Sequence, residues 1–160
     1  MITKANLSQL PEIMSVYERA RAFMAENGNP HQWGTTDPPE GRVRQDIQEE
    51  KCYINTDGKG IRAVFYFAVE QDPTYSVIDG AWRNDAPYGV IHRIATGEKG
   101  RGIAAECFDF AMSRCDNLRI DTHEDNLPMQ RCLDKNGFVR CGIIYVEDGT
   151  ARIAYQKIKE

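Results

Sequence analysis

The stretch Lys99-Gly100-Arg101-Gly102-Ile103-Ala104 decides how the rest of the chain is interpreted. It follows a strand-like run from Val90 to Thr96 and opens a helix-like run from Ile103 to Cys115. Two glycines at that junction allow a tight turn and let the backbone approach a ligand closely. The first N–H groups of the helix have no partner within the helix and lie at the positive end of its dipole. The pattern therefore predicts a phosphate or pyrophosphate site, with Lys99 and Arg101 adding positive charge.

Three glycine-rich patterns use this device, and residue spacing separates them. A P-loop requires Gly-Lys-Ser or Gly-Lys-Thr, whereas isoleucine and alanine follow the second glycine here, so a P-loop is excluded. Gly100, Gly102 and Ala105 satisfy the dinucleotide pattern G-x-G-x-x-A. Asp121 lies where a ribose-binding acid would be expected, so this alternative stays open.

The third pattern is Q/R-x-x-G-x-G/A, which is matched if Lys99 takes the place of Gln or Arg. A second stretch, from Asn126 to Phe138, resembles N-x-x-A-x-x-L-Y-E-K-x-G-F. Its matching residues are Asn126, Lys135, Gly137 and Phe138, and its departures are Met129, Cys132, Leu133 and Asp134. Together, the two motifs resemble those of the GNAT superfamily of acetyl-CoA-dependent N-acetyltransferases. They cover the chain from Val90 to Val146.

The order of predicted elements favours the same architecture. Asp57-Gly58-Lys59-Gly60 predicts a hairpin between strands at Cys52–Asn55 and Ile61–Val69, and Glu147-Asp148-Gly149 predicts a second hairpin near the end. Strand-helix-strand units lie between the hairpins. We therefore expect an α/β fold in which a mixed, mostly antiparallel sheet is flanked by helices on both faces, as one GNAT-like domain over residues 1–160. Residues 71–87 show no periodicity and are predicted to be irregular.

The resemblance implies acetyl-CoA as the acetyl donor and an amine as the acceptor. The strand before the glycine loop would hold the pantetheine arm, and the loop amides would bind the pyrophosphate. The second motif would contact the cofactor farther along. The cofactor-binding residues implied in this way are Ile94, Ala95, Thr96, Lys99, Gly100, Arg101, Gly102, Ile103, Ala104, Asn126 and Met129.

The reaction implied by the family is direct attack of a neutral amine on the thioester, which needs a base. Imidazole ordinarily titrates near pH 6.5, so His92 is the candidate base, with a hydrogen-bonded core histidine as the alternative. Strict alternation would place Ile94 on the same strand face as His92. Family members often have a tyrosine acid where this chain has Leu133, and Tyr145 is the substitute that we consider. An acyl-carrying role for Cys132 is disfavoured by its expected apolar surroundings.

Two other functions are weighed against this interpretation. A dinucleotide-binding protein would need near-continuously apolar parallel strands, whereas the strand before the loop carries His92 and Arg93 in its middle. A non-catalytic acyl-CoA-binding or sensing domain would keep the glycine loop but lack chemistry, and Leu133 motivates that alternative.

Composition restricts partners and location. A net charge of −4 argues against general nucleic-acid binding, and no apolar run is long enough to span a bilayer. The scattered histidines and five cysteines predict reduced thiols, no metal site and a cytoplasmic location. Trp33 and Trp82 are candidate substrate-binding residues for a small-molecule or peptide amine. A homodimer is a hypothesis taken from the family alone.

Overall fold

The strands and helices follow the predicted order, with two short strands that sequence patterns did not indicate. A computed structural model of the chain describes residues 1–97 and 102–160. Its strands are β1 (Ile2–Lys4), β2 (Cys52–Asp57), β3 (Gly60–Val69), β4 (Asp79–Gly80), β5 (Gly89–Thr96), β6 (Asn117–Thr122), β7 (Val139–Tyr145) and β8 (Ala151–Ile158). Its α-helices are α1 (Leu10–Glu26), α2 (Glu40–Gln48), α3 (Ile103–Arg114) and α4 (Leu127–Lys135).

In the described residues, the strands form one sheet in the order β1-β2-β3-β5-β6-β8-β7-β4. β5 and β6 are parallel, and the other paired strands are antiparallel. Both predicted hairpins are present, as β2–β3 and β7–β8. The expected mixed, mostly antiparallel sheet is therefore confirmed. A doubly wound dinucleotide fold is excluded, because it requires a mostly parallel sheet.

Helices cover both faces of the sheet, as predicted. α1 and α2 pack on one face, where Ile13 and Val43 join Ile54 of β2 in a buried cluster. α3 packs on the opposite face. There, Phe108 of α3 shares a larger core with Leu133 of α4 and Phe65 of β3. The strands alternate between these two cores because successive side chains of a strand point to opposite faces.

The helical spacing of apolar residues from Leu10 to Met24, preceded by Ser8, predicts that Ser8 caps α1, but the structure differs. A 3₁₀ turn at Leu7–Gln9 precedes the helix, and Asn6 caps that turn by accepting a hydrogen bond from the backbone N–H of Ser8. Gln9 returns the contact, because its side-chain oxygen accepts from the backbone N–H of Asn6 at 2.9 Å. This reciprocal capping box satisfies donors that a helix start otherwise leaves free. Asn6 is therefore the capping residue, and Ser8 lies inside the turn.

β5 contains a bulge that the alternation pattern did not predict. Val64 pairs with Ala95 and Tyr66 with His92, so Arg93 and Ile94 together oppose one residue of β3. Arg93 has a φ of 51°, a left-handed conformation that costs a non-glycine residue of order 1 kcal/mol. Because of the extra residue, the side chains of β5 beyond the bulge point to the face opposite to the one that strict alternation predicts.

The predicted faces of β5 are wrong for this reason. Ile94 packs in the core on the α3 face together with Ile91, and not on the face of His92. Ala95 packs instead with the α1–α2 cluster. Because of the bulge, His92 and Ile94 lie on opposite faces of one strand.

The segment 71–87 is mostly irregular, as expected, but it has internal order. Asp72 caps a 3₁₀ turn at Pro73–Tyr75, and Gly80 of β4 pairs with Gly142 of β7. Neither glycine has room for a Cβ, which would meet the opposing backbone at 2.3 Å or less. This close approach anchors the segment to the edge of the sheet. Across residues 1–97 and 102–160, none of the helices has the length and apolar character that crossing a bilayer requires.

Candidate active site

The parallel strands β5 and β6 separate soon after they begin, and a cavity lies beyond that point. Their pairing includes Gly89 with Leu118 and Val90 with Arg119 and then ends. Beyond Val90, the β6-facing edge of β5 has no strand partner among the described residues. A cavity of about 620 Å³ is lined by residues of both strands beyond this fork. Its volume is in the range of small-molecule and cofactor sites.

His92 and Asp72 form a hydrogen-bonded pair in the wall of this cavity. Nε2 of His92 lies 2.7 Å from Oδ2 of Asp72, and the two side chains are 23% and 14% exposed. Thr74 donates to the other carboxylate oxygen through its backbone N–H at 2.9 Å and its hydroxyl at 2.7 Å. Burial would raise the pKa of Asp72, but these bonds from His92 and Thr74 outweigh it and lower that pKa to about 2.

The ionised state of Asp72 determines which ring nitrogen of His92 can act as a base. An ionised carboxylate only accepts hydrogen bonds, so Nε2 of His92 carries the hydrogen that it donates. In the neutral ring, Nδ1 then holds the lone pair. No described residue forms a hydrogen bond with Nδ1. The pair therefore has the arrangement of a general base whose tautomer is set by a carboxylate.

Tyr75 connects the two separated strands beneath the cavity. Its ring centroid lies 6.0 Å from that of His92 on β5, and its hydroxyl donates to Oδ2 of Asp121 on β6 at 2.7 Å. The side chain is 1% exposed. Burial raises the pKa of Tyr75 well above its ordinary value, and the Asp121 carboxylate raises it further. Tyr75 is therefore a neutral donor that spans the fork.

The glycine loop is described in part. Lys99, Gly100 and Arg101 lie outside the described residues. Gly102 has a φ of 70° and immediately precedes α3, and a Cβ at this position would meet none of the described residues within 4 Å. The side chain of Ile103 is buried in the core, so contact with a ligand there would come from backbone N–H groups. The N–H groups of the first helical turn have no intrahelical acceptor, which suits a phosphate group.

Asn126 and Met129 both line the cavity, and the side-chain amide of Asn126 already has partners. Its Oδ1 accepts from the backbone N–H of Met129 at 3.2 Å and so caps α4. Its Nδ2 donates to Oε1 of Gln32 at 3.1 Å. The backbone carbonyl of Gln32 also accepts from Arg152 at 3.3 Å. These contacts hold the loop that follows α1 against the start of α4, and a cofactor contact by Asn126 would exchange with one of them.

The other candidate residues are distributed unevenly around the cavity. Trp33 lines it and packs edge-on against Tyr17, with ring centroids 5.6 Å apart. Trp82 is not among the lining residues that the structure describes; its indole N–H donates to the carbonyl of Tyr75, and Arg119 stacks 4.2 Å from its ring centroid. Tyr145 lines a neighbouring cavity of about 400 Å³ that shares the 72–74 turn. His92, Ile94, Asn126, Met129 and Trp33 thus meet at one cavity.

Leu133 and Cys132 have surroundings that bear on proton donation and acyl transfer. Leu133, at the position of the family tyrosine, is fully buried in the α3 core. Burial raises the pKa of the Cys132 thiol above its ordinary value, although a contact with Asn136 opposes this effect. A thiol with a raised pKa is a poor nucleophile at neutral pH. Cys132 is therefore poorly suited to act as an acyl-carrying nucleophile.

Sequence patterns did not identify Asp72, Gln32 or Asp46 as residues of the site. Asp72 precedes a proline, and a side-chain oxygen before a turn is a recognisable Asx signal. That signal predicts the turn, but not the contact with a histidine twenty positions away. Gln32 and Asp46 carry no local signal, because the contacts that place them at the cavity, with Asn126 for Gln32 and with Arg93 for Asp46, join segments far apart in the chain.

Comparison with known proteins also identifies the chain as an acetyltransferase relative. No protein-family profile matches the chain, and no curated protein sequence matches it. Among solved structures, an acetyltransferase of the GNAT family from Streptococcus agalactiae is 30% identical, with a TM-score of 0.91, over 100% of this chain and 95% of that one. The chain belongs to the GNAT family of acetyltransferases.

More distant structures share the fold. A ribosomal-protein-alanine N-acetyltransferase from Brucella melitensis is 16% identical with a TM-score of 0.66, covering 99% of both chains. A chain of the NatC complex bound to Gag peptide and CoA has the same identity and TM-score, over 100% of this chain and 98% of that one. These similarities support an acetyltransferase fold over the whole chain.

Proposed function

We propose that the protein is an N-acetyltransferase that transfers an acetyl group from acetyl-CoA to an amine. The observation that carries this proposal is the His92–Asp72 pair in the wall of the cavity between the separated strands. Next to the pair, the backbone edge of β5 that has no strand partner among the described residues suits a thioester, and the N-terminus of α3 suits the phosphates of CoA. Family membership supports acetyl transfer in general.

In the proposed reaction, the amine nitrogen attacks the thioester carbonyl carbon. The new C–N bond forms, the C–S bond breaks, and the proton that the attacking nitrogen loses after attack passes to the departing thiolate, so that the products are an amide and the thiol of CoA. Nδ1 of His92 takes the proton that the ammonium form must lose before attack, directly or through a water molecule. A backbone N–H on the free edge of β5 would stabilise the oxyanion, a contact typically worth about 3–4 kcal/mol.

Charge around the cavity supports an amine acceptor. The described lining residues include eight carboxylates and three arginines. Such a surface raises the local concentration of cations and so favours an ammonium substrate over an anionic one. Trp33, in the loop after α1, is the aromatic residue that we expect to contact the acceptor.

The second candidate is a non-catalytic acyl-CoA-binding domain, because Leu133 replaces the family acid and is buried. A CoA thiol is a tolerable leaving group, since thiols ordinarily titrate near pH 8.5, so a missing acid does not prevent transfer. Binding alone cannot separate the two functions.

The test combines binding and turnover. Isothermal titration measures acetyl-CoA binding to wild type and to Gly102→Trp, and release of CoA thiol is then followed over a panel of amines. We expect binding that Gly102→Trp weakens, and turnover that His92→Gln removes. Binding without turnover for any amine would favour the non-catalytic alternative. No binding by folded wild type would contradict both.

A further inference from the structure

Arg93 is held in its left-handed conformation by residues from three other elements. It lies directly between His92, the proposed base, and Ile94, where the free edge of β5 continues. Glycine would adopt a φ of 51° without strain, so an arginine at this position needs compensating contacts. The contacts of its carbonyl and of its guanidinium are separate, and each comes from a different helix.

The carbonyl of Arg93 is bound by α1. The hydroxyl of Tyr17 donates to this oxygen at 2.7 Å, and the Tyr17 side chain is 1% exposed. A buried hydroxyl that bonds a backbone carbonyl fixes the orientation of that peptide group. The peptide in question joins Arg93 to Ile94, at the centre of the bulge.

The guanidinium of Arg93 is bound by α2. Nε and Nη2 each lie 3.0 Å from a different carboxylate oxygen of Asp46, which is a two-bond pairing. The Asp46 side chain is 5% exposed, and the Arg93 side chain is 18% exposed. The guanidinium carbon also lies 4.8 Å from the ring centroid of Tyr66 on β3. The fork geometry requires arginine rather than lysine, and the ring contact is compatible with it.

We infer that Tyr17 and Asp46 are positioning residues of the active site. They hold Arg93 in the bulge. The bulge in turn fixes the position of the His92 side chain, on one face of β5, relative to the free backbone edge that follows it. This inference rests on the proposed acetyltransferase function. Neither residue touches the reacting atoms, so both act through Arg93.

The first experiment compares Tyr17→Phe with Ile54→Val, a truncation in the same buried cluster. Tyr17→Phe keeps the ring and removes the bond to Arg93. We expect kcat to fall about tenfold while KM for acetyl-CoA changes less than about threefold, because misplacement by a fraction of an ångström slows chemistry. Ile54→Val should lose stability and keep its kcat. An unchanged kcat in Tyr17→Phe, or an equal fall in Ile54→Val, would overturn the inference.

A double-mutant cycle tests whether the two residues act through the same group. Asp46→Asn removes the charge and keeps the shape, and we expect its kcat to fall as well. If both residues act through Arg93, the double variant Tyr17→Phe/Asp46→Asn loses less than the product of the two single losses. Losses that simply multiply would overturn the shared mechanism.

A measurement without turnover separates this inference from the proposed function. If the wild type binds acetyl-CoA but acetylates no amine, the proposed function fails and the bulge can still be examined. Amide hydrogen exchange over residues 88–97 should then be about tenfold faster in Tyr17→Phe than in Ile54→Val at equal distance from the unfolding midpoint. Equal exchange rates in the two variants would overturn the inference by itself.

Discussion

Oδ2 of Asp72 lies 2.7 Å from Nε2 of His92, although the two residues come from an irregular segment and from the middle of a strand. The irregular segment is anchored by the close pairing of Gly80 with Gly142, and the strand is anchored by its antiparallel pairing with β3. The pair gives the segment 71–87 a role: it supplies the carboxylate that sets the tautomer of the proposed base.

Replacing His92 should remove the base while leaving donor binding intact. We expect His92→Gln to lower kcat by about 10²- to 10⁴-fold, the usual contribution of general base catalysis, with an unchanged dissociation constant for acetyl-CoA. Steady-state thiol release and titration calorimetry measure the two quantities. His31→Gln, in the exposed loop, is the matched control and should behave as wild type. Full activity in His92→Gln would mean that this histidine is a structural residue.

Replacing Asp72 should make the stability of the protein less sensitive to acid. Its folded pKa of about 2 lies below the ordinary value of 3.8, so its stabilising contribution is present above about pH 4. That contribution is lost as pH falls through the folded pKa. We expect the free energy of unfolding of wild type to fall by about 2 kcal/mol more than that of Asp72→Asn between about pH 5 and pH 1.

Urea unfolding at several pH values measures this difference. Asp116→Asn, at an exposed position, serves as the control and should follow wild type. Parallel acid profiles for wild type and Asp72→Asn would contradict the assigned role of the carboxylate.

The backbone at Gly102 should resist a side chain even though the described residues leave room for one. Its φ of 70° is unfavourable for alanine, and a Cβ would meet no atom of residues 1–97 or 102–160 within 4 Å. We therefore expect Gly102→Ala to lose about 1 kcal/mol of unfolding free energy from backbone strain alone. Gly41→Ala, in helix α2 and equally open, should gain about 0.5–1 kcal/mol. Thermal or chemical unfolding of both variants tests the contrast, and a stabilised Gly102→Ala would contradict it.

Restoring the family tyrosine at position 133 should not restore an acid. Leu133 is fully buried among the core residues of α3, so a larger polar side chain would overpack the core. We expect Leu133→Tyr to lose about 1–3 kcal/mol of unfolding free energy without a gain in kcat. Leu133→Met, which nearly conserves volume, is the control for disturbing the position. A faster and stable Leu133→Tyr would show that the cavity admits this hydroxyl.

Much of the fold follows from local patterns in the sequence. Asp57-Gly58-Lys59-Gly60 predicts its hairpin because turn chemistry is local, and the apolar periodicity around Ile13 predicts α1 for the same reason. The order of the predicted elements, with hairpins near both ends and strand-helix-strand units between them, predicts the mixed sheet, and the structure confirms it. The shift from Ser8 to Asn6 as the capping residue is a local error: both residues can cap, and only the packed turn distinguishes them.

The sequence by itself determined the class of fold, the glycine-rich helix start and His92 as a candidate base. Each of these depends on residue type and spacing over a few positions. The tertiary structure decided the partner of His92, the faces of Ile94 and Ala95, and the bonding of Arg93 to Tyr17 and Asp46. Those depend on contacts between distant segments and on one extra residue in a strand. A bulge at an arginine has no local signal, because its strain is compensated by helices far away in the chain.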